Sequence, residues 1–318
     1  MNTAARLSAY GAALALVFGG AWAAGAALGQ SPGNAAQEPH GHTAEDALAG
    51  HFGPEHPDDG HGHGGEEHSH GAEPVPAGLP STNGGYTLSP TTTTLPRGIV
   101  SEFSFRITAP SGKAVTGFKV EHDKRMHLVL VRRDTTGYQH LHPEMSPDGT
   151  WRVPMRIDTA GTYRVFADFV PAGGTAQTLG VDLSVPGEFT PAAHAPSRVA
   201  EVDGYQVRLE GDLVAGRSAP LTAEVTRGGL PVTDLQPYLA AYGHLVALRA
   251  ADLAYLHVHP EGEPGDGNTP AGPRITFDAE APSAGTYRLF LDFQHSGEVR
   301  TAEFTVDALP ETTGTAGN

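Results

Sequence analysis

The sequence predicts an all-β protein: two tandem immunoglobulin-like or cupredoxin-like sandwiches after an N-terminal hydrophobic helix and a disordered His-rich linker. Three observations carry this reading. The C-terminal two thirds is built of short Val-, Thr-, Tyr- and Phe-rich runs broken by turn residues, in a 318-residue chain with 41 Gly and 26 Pro. A long motif occurs twice, the signature of tandem copies of one fold. Cysteine is absent, so each sandwich of roughly 100 residues must be stable through its core alone.

Taken in order, residues 1–30 form a signal peptide or an N-terminal membrane anchor. Residues 7–30 carry no charged side chain, and Arg6 is the only one before them. At about 1.5 Å per residue this stretch is long enough to cross a ~30 Å hydrocarbon core. Ala21-Trp22-Ala23 and Ala24-Gly25-Ala26 offer cleavage sites. If uncleaved, the helix associates the protein with the membrane. Either way the rest is extracytoplasmic, membrane-anchored or secreted.

Residues 31–85 are rich in Gly, Pro, Ala, Glu and His without apolar periodicity. Such a segment buries too little surface to offset ordering entropy, so it reads as a disordered linker. The first sandwich is expected over 86–186, with strands near 101–108, 126–132, 138–142, 151–157 and 162–169. A Pro- and Ala-rich linker follows at 187–202. The second sandwich is expected over 203–308, with strands near 205–209, 219–226, 244–248, 254–259, 274–277 and 286–293. The tail, 309–318, is Thr- and Gly-rich and flexible.

The two sandwiches are copies. MHLVLVR from Met126 aligns with GHLVALR from Gly243, and HLHP from His140 with HVHP from His257, both at an offset of 117. GTYRVFADF from Gly161 matches GTYRLFLDF from Gly285 at an offset of 124, so the second copy has gained seven residues around 261–273.

Each copy carries His-x12-His-x-His-Pro: His127, His140 and His142, then His244, His257 and His259. Residues two apart on a strand share a face, so each His-x-His presents two imidazoles side by side. A four-residue loop at 134–137 sets Val131 opposite His140 and Val129 opposite His142. His127 then lies on the same face, diagonal to His142 and within joint reach of one ion. A slip of one residue breaks the triad. The alternative is that these histidines are structural, bonding carbonyls at strand ends.

Without cysteine, a metal must be held by His, Met, Asp, Glu or backbone oxygen. Met126 directly precedes His127 and Met145 follows His142 by three. Thioethers select Cu(I) and imidazole suits Cu(II), Zn and Ni. The first copy thus suits copper in either oxidation state, and the second, with Gly243, suits Cu(II) or Zn(II). The alternative is that both methionines fill core gaps. Asp168 and Asp292 occupy equivalent strand positions and need partners; Arg164 and Arg288 are the expected ones, orientation of a ligand His the other choice. The linker adds His40, His42, His51, His56, His61, His63, His68 and His70 among acidic residues, a composition that binds metals with little selectivity.

On these histidine stretches the chain resembles uncharacterised secreted or membrane-anchored His-rich two-domain proteins of actinobacteria, over most of 86–307. More loosely, it is similar to periplasmic copper-binding β-sandwiches of the copper-resistance and cupredoxin-like kinds. The resemblance implies an extracytoplasmic protein. The missing cysteine departs from blue-copper proteins, so electron transfer is not implied.

The expected function is binding of transition metal, with copper the leading ion and zinc the alternative, to buffer, scavenge or hand it on. The partners are metal ions and a membrane metal transporter or metallochaperone. A formal charge of -16 gives no basic face for nucleic acid. An enzyme is not expected, since no Glu or Ser/Thr partner stands out as a base. A three-His zinc metalloenzyme and a cell-surface interaction module with structural histidines are the competing readings.

Overall fold

The computed structural model describes residues 75–256 and 258–310, leaving out the side chain of His259. The N-terminal apolar segment, the linker to residue 74, His257, the His259 side chain and the tail from 311 lie outside the described residues. Among the described residues every regular element is a strand, and no helix is long and apolar enough to cross a membrane.

The first domain contains β1 (Thr82–Asn83), β2 (Tyr86–Pro90), β3 (Val100–Thr108), β4 (His127–Arg132), β5 (Gln139–Leu141), β6 (Glu144–Met145), β7 (Thr150–Arg156), β8 (Gly161–Phe169) and β9 (Gln177–Val185). The second contains β10 (Val199–Val202), β11 (Tyr205–Glu210), β12 (Leu213–Val214), β13 (Ser218–Arg227), β14 (Leu230–Pro231), β15 (His244–Arg249), β16 (Tyr255–Leu256), β17 (Val258–Pro260), β18 (Arg274–Glu280), β19 (Gly285–His295) and β20 (Glu298–Leu309).

In the first domain the sheets run β1-β2-β3-β7-β6 and β5-β4-β8-β9. Their counterparts in the second run β10-β11-β13-β18-β17 and β12-β20-β19-β15-β16. Within these, the four strands β2-β3-β7-β6 or β11-β13-β18-β17 facing a sheet built on a β4-β8-β9 or β15-β19-β20 trio give the order of an immunoglobulin-like sandwich. Alternation supplies each core. Phe103, Phe105 and Trp151 face Leu128, Tyr163 and Val165 in the first domain, and Tyr205 and Phe277 face Tyr287, Leu289 and Phe304 in the second.

The β4 and β15 strands are buried along both faces. Met126, Leu128 and Leu130 enter their own core, while Val129 and Val131 join a third cluster with Phe166, Val246, Leu248, Leu253, Tyr255 and Phe290. This cluster is the contact between the domains, and it explains why HLVLV and HLVAL read as continuous apolar runs. The contact is reciprocal. Tyr138 stacks on Phe290 with centroids 4.2 Å apart, and its repeat equivalent Tyr255 meets Phe166 at 5.5 Å.

Two linker boundaries differ from the sequence reading. Residues 75–85, assigned there to the disordered linker, belong to the fold. Ala77 O accepts from Tyr255 N, Gly78 N donates to Thr178 O, and Arg164 donates to the carbonyls of Gly78 and Leu79. Backbone pairing holds a stretch that composition alone marks as unstructured. Gly180 is required here, because a Cβ on it would stand 2.0 Å from Gly78 O. The connection at 187–202 is likewise tethered: Ala192 N and His194 bond Asp134, and β10 already pairs with β11. The single strand expected at 254–259 is two, β16 and β17, on different sheets.

If the third cluster joins the domains, wild-type protein melts in one transition. Phe290→Ala should cost about 3–5 kcal/mol and split the melt into two steps. Calorimetry showing one unshifted transition would contradict this role.

Candidate metal centre

The site begins with the register of β4 and β5. Val129 pairs with His140 and Leu128 with Leu141, so continuing the ladder sets His142 across from His127. The loop spans residues 133–138, longer than the four residues the sequence reading assumed. Thr135 and Gly137 both take left-handed conformations in it, and Asp134 accepts from Arg132, Thr136 N and Thr136 Oγ1. The register is therefore shifted by two residues from expectation. An even shift keeps every side chain on its face, so the triad survives and becomes tighter.

His127, His140 and His142 converge, each offering a ring nitrogen within 4.8 Å of the others. Their ring centroids are 5.3, 5.2 and 4.8 Å apart. Imidazoles bound to one ion at about 2.0–2.1 Å place their centroids roughly 5 Å apart, so the rings already stand at ligand spacing.

Outer hydrogen bonds fix two tautomers. His127 Nε2 lies 3.0 Å from Glu121 O, and a carbonyl only accepts, so Nε2 carries the hydrogen. His140 Nδ1 lies 2.9 Å from the Asp292 carboxylate and must likewise donate. The inward atoms, His127 Nδ1 and His140 Nε2, then both present lone pairs at 3.1 Å. Two lone pairs at that distance require a positive charge between them. The Nε2 of His142 is buried and makes no hydrogen bond. A proton satisfies the first pair; a metal ion satisfies that pair and the third nitrogen together.

The second domain contributes to the same place. Asp292 crosses the interface to hold His140, their side chains 3% and 6% exposed, and it also accepts from Thr301 and Tyr138. His244 lies 5.0 Å from His122 and 6.4 Å from both His127 and His140, centroid to centroid. Five imidazoles thus gather at the interface. A cavity of about 340 Å³, lined in part by His122, His127, Lys119 and Lys124, opens beside them.

Burial keeps three of these rings, His127, His142 and His244, neutral. It lowers His127 to about 3, against the hydrogen bond His127 donates to Glu121 O, with His140, His244 and His122 lowering it further. Burial and then the neighbouring histidines hold His142 at about 3. Burial lowers His244 to about 4, against its bond to Leu239. Neutral imidazole is the ligand form.

The methionines do not join the site. Met126 is 1% exposed in the first core, since neighbours on a strand point to opposite faces and His127 points the other way. Met145 packs on that same core from β6. The expected pairing of Asp168 and Asp292 with arginine is also corrected. Four residues along a strand span roughly 13 Å, which puts Arg164 and Arg288 out of reach. Arg164 pairs with Asp182 and Arg288 with Glu303, while Asp168 accepts from Thr178. Of the second triad, only His244 has a described side chain; His257 and the His259 side chain lie outside the described residues. For Asp292 the other choice, orientation of a ligand His, is the one the structure shows; sequence reasoning missed Tyr138 and His122 as site residues, because nothing in either copy alone says that the copies face each other.

A family model, Domain of unknown function (DUF8832), matches the chain twice, over residues 81–187 and 200–309. The chain belongs to this family. Its two matches are the two copies found in the sequence, and no curated protein matches the DUF8832 chain. Among solved structures, it is similar to the Escherichia coli adhesin FdeC at 15% identity, covering 71% of this chain and 65% of that one, with a TM-score of 0.23. A Salmonella alpha-2-macroglobulin mutant matches at 14% identity over 74% of this chain and 15% of that one, with a TM-score of 0.25. The Ig1-2 module of Drosophila receptor tyrosine phosphatase DLAR matches at 9% identity over 71% and 98%, with a TM-score of 0.20. The architecture of the DUF8832 domains rests on their own strand order, not on these overlaps.

The depressed histidines link stability to acid. Above the unfolded value of about 6.5 they are neutral in both states, and their contribution is fully present. As pH falls below that, the unfolded chain takes up protons that the folded chain refuses until about 4 for His244 and about 3 for His127 and His142. Metal-free protein should therefore unfold at lower urea at about pH 5 than at about pH 7.5. His127→Gln with His142→Gln should shrink the difference. An unchanged difference would assign the acid sensitivity elsewhere.

Proposed function

We propose that this DUF8832 protein is an extracytoplasmic transition-metal binding protein that buffers, scavenges or hands on its ion. The observation that carries the reading is the triad's hydrogen-bond pattern: two inward lone pairs 3.1 Å apart, beside a buried His142 Nε2 with no partner. A structural cluster of histidines would spend those nitrogens on carbonyls or hydroxyls. Here the outer nitrogens of His127 and His140 are spent on a carbonyl and a carboxylate, and their inner nitrogens are left facing one another.

An all-imidazole donor set favours Cu(II) or Zn(II) over Cu(I), since the methionines lie in the core. Copper remains the leading ion, because Cu(II) tops the affinity order for nitrogen sites. Extracytoplasmic placement rests on the uncharged N-terminal stretch, whose export carries the domains across the membrane. The linker's histidines, of low selectivity, fit a collecting role ahead of the more defined triad. A transporter or metallochaperone is the class of partner such a store serves.

Metal that binds only the folded centre raises its melting temperature, whatever the linker binds. At an ion concentration 100 times Kd the gain is about 2.7 kcal/mol. Full-length protein should show such a rise with Cu(II) or Zn(II), and His142→Ala should abolish it while the metal-free melt stays cooperative. No metal-dependent rise in wild type, or the same rise in the variant, would overturn the reading.

A further inference from the structure

We propose that His244, from the second domain, supplies a fourth ligand to the centre, so that one ion is held by both copies of the fold. The inference rests on the three-histidine reading above and adds the partner that completes it. His244 is the repeat equivalent of His127 and is oriented in the same way. Each donates Nε2–H to the carbonyl six residues upstream: Glu121 at 3.0 Å for His127, and Tyr238 at 3.0 Å for His244, which also reaches Leu239 O at 2.8 Å. Both bonds of His244 run through Nε2, so its Nδ1 carries the lone pair, as in His127.

Position agrees with this chemistry. His244 is buried, and its ring stands 6.4 Å from both His127 and His140. About 1.4 Å of closure brings it to the roughly 5 Å spacing of rings that share an ion. The route for that closure is short, because His244 pairs across β15 and β19 with Asp292, and Asp292 already holds His140. Metal binding and docking of the two domains then reinforce each other, since each supplies part of what the other needs.

The chain has no cysteine, so one introduced thiol reports without background. Full-length His244→Cys is loaded with Co(II), and the near-ultraviolet thiolate-to-cobalt charge-transfer band is measured. His127→Cys, at the equivalent position with the same ligand atom, is the control. A band in both variants supports the four-ligand centre. A band in His127→Cys and none in His244→Cys overturns the fourth ligand and leaves the triad standing. No band in either overturns the triad and the proposal together. As an independent measure, His244→Ala should weaken Zn(II) binding, read from the metal-dependent melt, by roughly tenfold or more. An affinity equal to wild type contradicts the proposal even if the variant is less stable without metal.

Discussion

The structure depends on a sheet that is buried on both sides. Strand β4 gives Leu128 and Leu130 to its own sandwich and Val129 and Val131 to the neighbouring one, and β15 does the same from the other direction. Burying apolar side chains on both faces is worth roughly 25 cal/mol per Å² removed from water. That gain fixes how the two copies meet. The histidines sit at the end of this contact, on the same face as Val129 and Val131, so the packing that joins the domains also gathers the imidazoles and dries them. The lowered proton affinity of His127 and His142 and the buried His142 nitrogen both follow from that desolvation.

Duplication gives the centre its asymmetry. The two copies present equivalent histidines to a shared contact, and the second domain's Asp292 orients the first domain's His140. A carboxylate holding the far nitrogen of an imidazole sets its tautomer and raises its donor strength. Asp292 is itself held by Thr301 and Tyr138, so the orientation is built from several buried bonds. The backbone of the copies also diverges after the second His of each motif. His142 lies between β5 and β6, while His259 lies within β17 on the opposite sheet.

Much of the fold was legible because alternation and turn residues report one domain at a time. Long strands such as β3, β7 and β8 fall within a residue of expectation, and the repeat announced two copies. The triad was legible for the same reason, since period-two spacing places His127, His140 and His142 on one face in any even register. Met126 was misread although the same rule excludes it: adjacency in sequence means opposite faces on a strand. What was not legible depends on contacts between copies. Nothing local in Asp292 separates a partner in its own strand from one across the interface. The stretch at 75–85 has the composition of a linker and is held by hydrogen bonds to both domains and by the pairing of β1 with β2.

The central claim is that one ion sits between the nitrogens of His127, His140 and His142. Anomalous diffraction from crystals grown with Cu(II) or Zn(II), recorded on both sides of the metal's absorption edge, tests it most directly. The account predicts a peak bounded by His127 Nδ1, His140 Nε2 and His142 Nε2, with Asp292 still bonded to His140. A triad that keeps its direct nitrogen-to-nitrogen contact, with the anomalous peak elsewhere or nowhere, would contradict it.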